Sequence, residues 1–217
     1  MMIQFTATNE NVNAISQNVT HLTFRNDFNE PLEAGVIPQG VTHLTFGDDF
    51  DQPLVHNVIP NSVTHLTFGF NFNQPLDIGV IPNSVTHLEF NDEFNQPLVK
   101  GVIPDSVIDV TFGTFFNQPL SVGVIPNSVT TLVFGNEFNQ PITFIKYLRD
   151  VYSIICDSYI YYSRSILIDT SRSYTLFHTR SFHEELMKHV FHPTRLQKIC
   201  DTYQLDLDEL LEIYHDE

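Results

Sequence analysis

The sequence predicts a mostly β fold: a parallel β-solenoid of 22-residue coils followed by an α-helical C-terminal cap. Three observations predict it. The strings FNEPL, FDQPL, FNQPL, FNQPL, FNQPL and FNQPI begin at Phe28, Phe50, Phe72, Phe94, Phe116 and Phe138, a step of 22 residues with no insertion. A second string keeps step: VTHLTF from Val19, Val41 and Val63, VTHLEF from Val85, VIDVTF from Val107 and VTTLVF from Val129. All nine glycines and eleven of the twelve prolines lie before residue 143, so the chain divides there into two kinds of segment. An invariant step means coils of equal path length, each too short to bury its own apolar face without neighbours.

Residues 1–14 precede the first copy and are expected to cap the stack. Residues 15–142 form about six coils. Within VTHLTF the Leu and Phe alternate as in a half-buried strand, which turns the His and the second Thr outward. Six such strands stack as a parallel sheet with a pitch of about 4.8 Å. Ile-Pro recurs at Ile37-Pro38, Ile59-Pro60, Ile81-Pro82, Ile103-Pro104 and Ile125-Pro126, whereas the first copy has Ile15-Ser16. Proline excludes helix and central ladders, so the return path is expected to be extended. Twelve of the nineteen phenylalanines fall on two registers, Phe24 to Phe134 and Phe28 to Phe138 in steps of 22, and should form two buried columns. Asn29, Asn73, Asn95, Asn117 and Asn139, with Asp51 in the odd copy, should satisfy turn groups of adjacent coils.

After residue 142 the motif ends. Residues 143–180 are rich in Tyr, Ile and Ser, and Ile160, Tyr162, Ile166 and Ile168 favour an irregular set of closing strands. Residues 181–217 read as three helices. Ser181 with Glu184 opens the first, Pro193 suits the first turn of the second, and Leu207, Leu210, Leu211 and Tyr214 share a face of the third. They form either a cap or a docking module.

The residues FNQPL, GVIP and SVTHLTFG resemble those of the FNIP repeat family over roughly residues 15–142. FNIP repeats are regarded as relatives of leucine-rich repeats and occur in amoebae and in the giant DNA viruses that infect them. The resemblance implies a leucine-rich-repeat-like solenoid that binds proteins. Some members carry an F-box, which implies an alternative role as a ubiquitin-ligase substrate adaptor. Only about fourteen residues precede the first repeat here, so the helical tail would have to serve as docking module. The stretch Glu184-Glu185-Leu186-Met187 followed by Phe191-His192-Pro193-Thr194-Arg195 resembles a short C-terminal motif of giant-virus repeat proteins.

Charge and composition narrow the function. The chain carries 26 acidic residues against 10 Lys plus Arg, a net charge of −16, which repels phosphate backbones and anionic membranes. No run reaches the roughly 18 apolar residues of a membrane span, and MMIQFTATNE lacks the form of a signal peptide. Cys156 and Cys200 match no metal or disulfide pattern and are expected as reduced thiols of an intracellular, monomeric protein. No P-loop, GxGxxG, GxSxG or HExxH motif is present, so neither an enzyme nor a cofactor is expected.

His21, His43, His65 and His87 share one register and invite a metal or pH-sensing reading. Metal ligands converge on a point, however, and a register is a line that here breaks at Asp109 and Thr131. Asp48, Asp49, Asp92, Glu93 and Glu137 recur along one edge as a solvated rim, not as a carboxylate pair across a cleft. The expected function is a non-enzymatic scaffold that holds protein partners on the exposed sheet face. Its contact residues are expected to be His21, His43, His65, His87, Thr45, Thr67, Glu89 and Asp109, with Phe70 and Phe115 at the loop register as exposed aromatic contacts.

Overall fold

The computed structural model describes residues 2–138 and Gln140, together with the backbone of two further strands at Ser153–Cys156 and Thr175–His178. Among these residues nine strands form one parallel sheet in chain order. They are β1 (Gln4–Ala7), β2 (His21–Phe24), β3 (His43–Thr45), β4 (His65–Thr67), β5 (His87–Glu89), β6 (Asp109–Thr111), β7 (Thr131–Phe134), β8 (Ser153–Cys156) and β9 (Thr175–His178). Each pairs with the next in unbroken register, so His21 lies beside His43, His43 beside His65 and His65 beside His87. The described residues contain no α-helix, only a single 3-10 turn at Val12–Ala14. The return path is non-helical, as the Ile-Pro recurrences require, but it runs through turns and bends rather than as a continuous extended segment.

Both aromatic columns are present and fully buried. Phe24, Phe46, Phe68, Phe90, Phe112 and Phe134 stack at centroid spacings of 5.5, 5.7, 5.2, 5.4 and 5.4 Å. Phe28, Phe50, Phe72, Phe94, Phe116 and Phe138 stack at 6.0–6.2 Å beside them. Each coil also bonds to the next at its turns. The Asp51 amide donates to Asn29 Oδ1, Asn73 to Asp51 Oδ1, Asn95 to Asn73 Oδ1 and Asn117 to Asn95 Oδ1, at 2.9–3.0 Å. The following glutamine of each coil reaches the same oxygen, so one side-chain acceptor serves two donors of the next coil. Ser62, Ser84, Ser106 and Ser128 donate their hydroxyls to Val41, Val63, Val85 and Val107 carbonyls of the coil before.

Glycine is required where coils approach most closely. A Cβ at Gly69 would sit 1.8 Å from the Gly47 carbonyl oxygen, and one at Gly47 would sit 2.0 Å from that of Arg25. Asn91 interrupts this register and sends its side-chain amide to the Phe68 carbonyl at 2.7 Å. The turn bond that follows is longer than its equivalents, 3.4 Å from Phe94 N to Asn91 O against 3.1 and 3.2 Å in the two preceding coils. On the return path one residue per coil takes positive φ: Gly35, Gly79, Gly101, Gly123 and, in the odd coil, Asn57 at 66°.

Two segments differ from the sequence reading. Residues 1–14 do more than cap, because β1 is itself a strand of the sheet and its coil is short: Gln4 pairs with His21, 17 residues on. The segment 143–180 is not wholly irregular. Thr131 pairs with Ser153 and Ser153 with Thr175, so the 22-residue step outlives the FNQP motif. A strand needs only alternation and β-prone residues, which Ser153-Ile154-Ile155-Cys156 supplies without any turn motif. The strand positions expected at Ile160, Tyr162, Ile166 and Ile168, and the helical cap expected over 181–217, lie outside the described residues.

Candidate partner-binding face

Every strand from β2 to β5 reads His-Leu-Thr or His-Leu-Glu. Leu22, Leu44, Leu66 and Leu88 point into the core, so the residues on either side face outward. The four histidines are half-buried and stack face to face. Ring centroids lie 4.0 Å apart for His21 and His43 and 4.2 Å for the two pairs that follow, with planes within 12° of parallel.

The threonine before each histidine fixes the ring. Thr42, Thr64 and Thr86 place Oγ1 at 3.0, 2.9 and 2.8 Å from the Nδ1 of His43, His65 and His87. The same hydroxyls donate to Thr20, Thr42 and Thr64 carbonyls of the preceding coil at 3.1 Å. That commitment assigns the Nδ1–H tautomer to the His43 and His65 rings and leaves their Nε2 directed outward. Burial against neighbouring coils pushes the His43 and His65 imidazoles below the ordinary range, and charge on the adjacent histidines adds to the effect. At the end of the column His87 Nε2 meets Asp109 Oδ2 at 3.0 Å. Ile108 takes the register of the locking threonines there, so the Thr–His pairing ends where the histidines end.

The second outward register runs Thr23, Thr45, Thr67, Glu89 and Thr111. Thr67 Oγ1 lies 3.4 Å from Glu89 Oε2, and Glu89 is exposed. His21, His43, His65, His87, Thr45, Thr67, Glu89 and Asp109 thus belong to one continuous face. Phe70 and Phe115 do not. They sit beyond the strand ends on the loop rim, 42% and 43% exposed, two coils apart. Around them the acidic residues are partly committed: Asp48 accepts from Asn26, Asp49 from Asn71, and Asp92 from both the amide and the hydroxyl of Thr114. The rim is therefore a bonded ladder as well as a solvated edge.

Sequence reasoning missed the locking role of Thr20, Thr42, Thr64 and Thr86, although the Thr-His pair repeated in four consecutive copies was its signal. It also missed Val55, Ile78, Val99 and Val122, which are 54–60% exposed on the return side. Among the described residues no group of three or more His, Cys, Asp or Glu gathers around a point that could hold a metal ion. No helix among them is long and apolar enough to cross a membrane.

The FNIP Repeat family matches the chain over residues 11–47, 28–71, 72–115 and 116–146, more than half of its length. No curated protein matches. A solved giant-virus structure, described as the crystal structure of CroV588, a novel circular LRR protein structure, is 39% identical. It superposes with a TM-score of 0.67 over 76% of this chain and 24% of that one, so the chain spans about a quarter of its relative's length.

Proposed function

Because this chain belongs to the FNIP repeat family and folds as a leucine-rich-repeat-like solenoid, we propose that it is a non-enzymatic scaffold that binds protein partners on its sheet face. One observation carries the reading: the His–Thr lattice is held rigid over four consecutive coils by hydroxyl and stacking contacts, yet its outer side is covered by none of the described residues. A regular, pre-organised polar strip is what an extended solenoid offers a partner, because little side-chain entropy is lost on binding. Phe70 and Phe115 supply exposed aromatic contacts on the adjoining rim. The protein is assigned, on its two isolated cysteines, to an intracellular compartment and to a monomeric state.

The test is capture of partners from a cell extract by the immobilised full chain and by two variants of it. Thr45→Lys/Thr67→Lys obstructs the face, and Val55→Lys/Val99→Lys alters the return side. Partners retained by the native chain and the return-side variant, but lost from the face variant, support the reading. Equal retention by all three proteins refutes it.

A further inference from the structure

We propose that the occupant of this face is an extended Lys- or Arg-bearing segment of a partner protein, laid across the strands along the imidazole column. The inference rests on the reading that the sheet face binds protein, and it names the chemistry of what is bound.

The charge distribution supports it first. Among the described residues the cations are Arg25 and Lys100, against fourteen Asp and Glu. Arg25 is ion-paired with Asp27 in the first coil, and Lys100 lies on the return path, where its stem packs near Gly123. The sheet face from β1 to β7 therefore presents no free cation. Its outward residues are Gln4 and Thr6 on β1, and His with Thr on β2, β3 and β4. They continue with His87 and Glu89 on β5, Asp109 and Thr111 on β6, and Thr131 and Val133 on β7. The titratable groups facing the column are thus the four histidines, Glu89 and Asp109. A face of this sign inside a negative field attracts cationic segments and rejects anionic ones.

The hydrogen-bonding pattern supports it second. With Nδ1 committed to the threonine hydroxyls, His43 and His65 offer only Nε2 lone pairs to the outside, and His21 stands against Thr20 in the same way at 3.0 Å. A row of acceptors about 4 Å apart, ending at a carboxylate, needs donors opposite it. Lys and Arg carry several donors and no acceptor, together with the positive charge that this face favours. The ring faces are sealed by one another, so the contact is edge-on hydrogen bonding rather than cation–π packing.

Protonation inverts the strip. Once the imidazoles gain a proton, the acceptors become donors and adjacent positive rings stand 4.0–4.2 Å apart. A cationic segment is then expelled, with Glu89 and Asp109 offsetting only part of the change.

The experiment uses the full chain and two synthetic probes of about ten residues, an alternating Lys/Thr peptide and its Glu/Thr counterpart, measured by fluorescence anisotropy. The Lys/Thr peptide is expected to bind at pH about 7.5 and the Glu/Thr peptide is not. Moving to pH about 5.5 at constant ionic strength should weaken the native chain about tenfold and a His43→Gln/His65→Gln variant less than about twofold. An Asp48→Asn/Asp49→Asn variant on the rim should weaken binding at both pH values and leave their ratio unchanged. Circular dichroism at both pH values shows that each protein is folded. If the Gln variant fails to fold, the native chain still decides: bound Lys/Thr peptide must lower the pH at which the His43 and His65 proton resonances titrate, by linkage. Equal acid sensitivity of native and Gln chains, unshifted titration with bound peptide, or preference for the Glu/Thr peptide overturns the proposal. Capture that Thr45→Lys/Thr67→Lys abolishes, with no Lys/Thr peptide binding at pH about 7.5, leaves the face as the binding surface and removes the cationic partner.

Discussion

Truncating Phe68 tests whether the stacked columns hold the solenoid together. The ring has no exposure and stands between Phe46 at 5.7 Å and Phe90 at 5.2 Å, with Phe72 at 4.3 Å in the parallel column. A buried aromatic ring removes about 150–250 Å² from water, which at about 25 cal/mol per Å² gives roughly 4–6 kcal/mol. The methyl group that alanine retains lowers this, and the cavity adds to it, so Phe68→Ala is expected to cost about 3–5 kcal/mol. Phe72→Ala should fall in the same range. Phe24→Ala should cost less, because Phe24 has Phe46 on one side but only Ala7 opposite it in β1, so about one aromatic pair (roughly 0.5–1.5 kcal/mol) is missing. Thr67→Ala removes a half-buried hydroxyl whose side-chain contact is 3.4 Å long and should cost under about 0.5 kcal/mol. Guanidinium unfolding followed by far-UV circular dichroism measures all four on one scale. Equal losses for Phe68→Ala and Thr67→Ala would refute the assignment of strand faces.

Gly69→Ala places a methyl 1.8 Å from the Gly47 oxygen, so it should destabilise by at least about 3 kcal/mol in the same unfolding assay, whereas Asn91→Gly should be tolerated at a cost below about 1 kcal/mol. Asn57→Gly relaxes a positive φ that the other coils give to glycine and should leave stability unchanged or raised by up to about 1 kcal/mol, while Asn57→Ala should lower it by about 1–2 kcal/mol. The depressed His43 and His65 values mean that the unfolded chain takes up protons first. Their contribution to stability is therefore complete above the ordinary imidazole value of 6.5 and is lost as the pH falls below it. Denaturation midpoints of the native chain should accordingly decline between pH about 7 and about 5 more than those of His43→Gln/His65→Gln, and parallel curves would exclude the column as the cause.

Much of this architecture was legible because one spacing repeats. The step of 22 residues fixed the coil length, the Leu–Phe alternation fixed which side of each strand is buried, and the prolines excluded helix from the return path. The Asn register was legible for the same reason: an amide at one point of every turn has the next coil's amide opposite it, as Asn73 and Asn95 do. Legibility ended where contacts, not composition, define an element. β1 carries no VTHLTF string, and its coil is five residues short, so periodicity passed over it. At Ser153–Cys156 only the strand survives, without the FNQP turn by which the repeat is recognised. The histidine face was visible as a register, but its rigidity was not. That depends on the Thr42 hydroxyl sitting between the Thr20 carbonyl and His43 Nδ1, a three-body arrangement that no pairwise spacing reveals. Exposure of Val55 and Ile78 was hidden because each recurs only two coils on, at Val99 and Val122, with Asp77 and Lys100 at the same registers between, so neither register reads as apolar.

The uniform step makes each coil a heritable quantum of length. Removing residues 45–66 joins Leu44 to Thr67, and Gly69 then settles over Arg25 as Gly47 does now, with both phenylalanine columns shortened by one ring and otherwise intact. Losing 21 residues instead would turn the following phenylalanines toward water, since a one-residue slip exchanges the two sides of a strand. Unequal recombination between near-identical repeats therefore yields folded products only in multiples of 22, and those it yields readily. The imidazole column would change by the same arithmetic, from four rings to three in that deletion. A lineage carrying such a gene adjusts the reach of its contact strip by counting copies, without designing any new side chain.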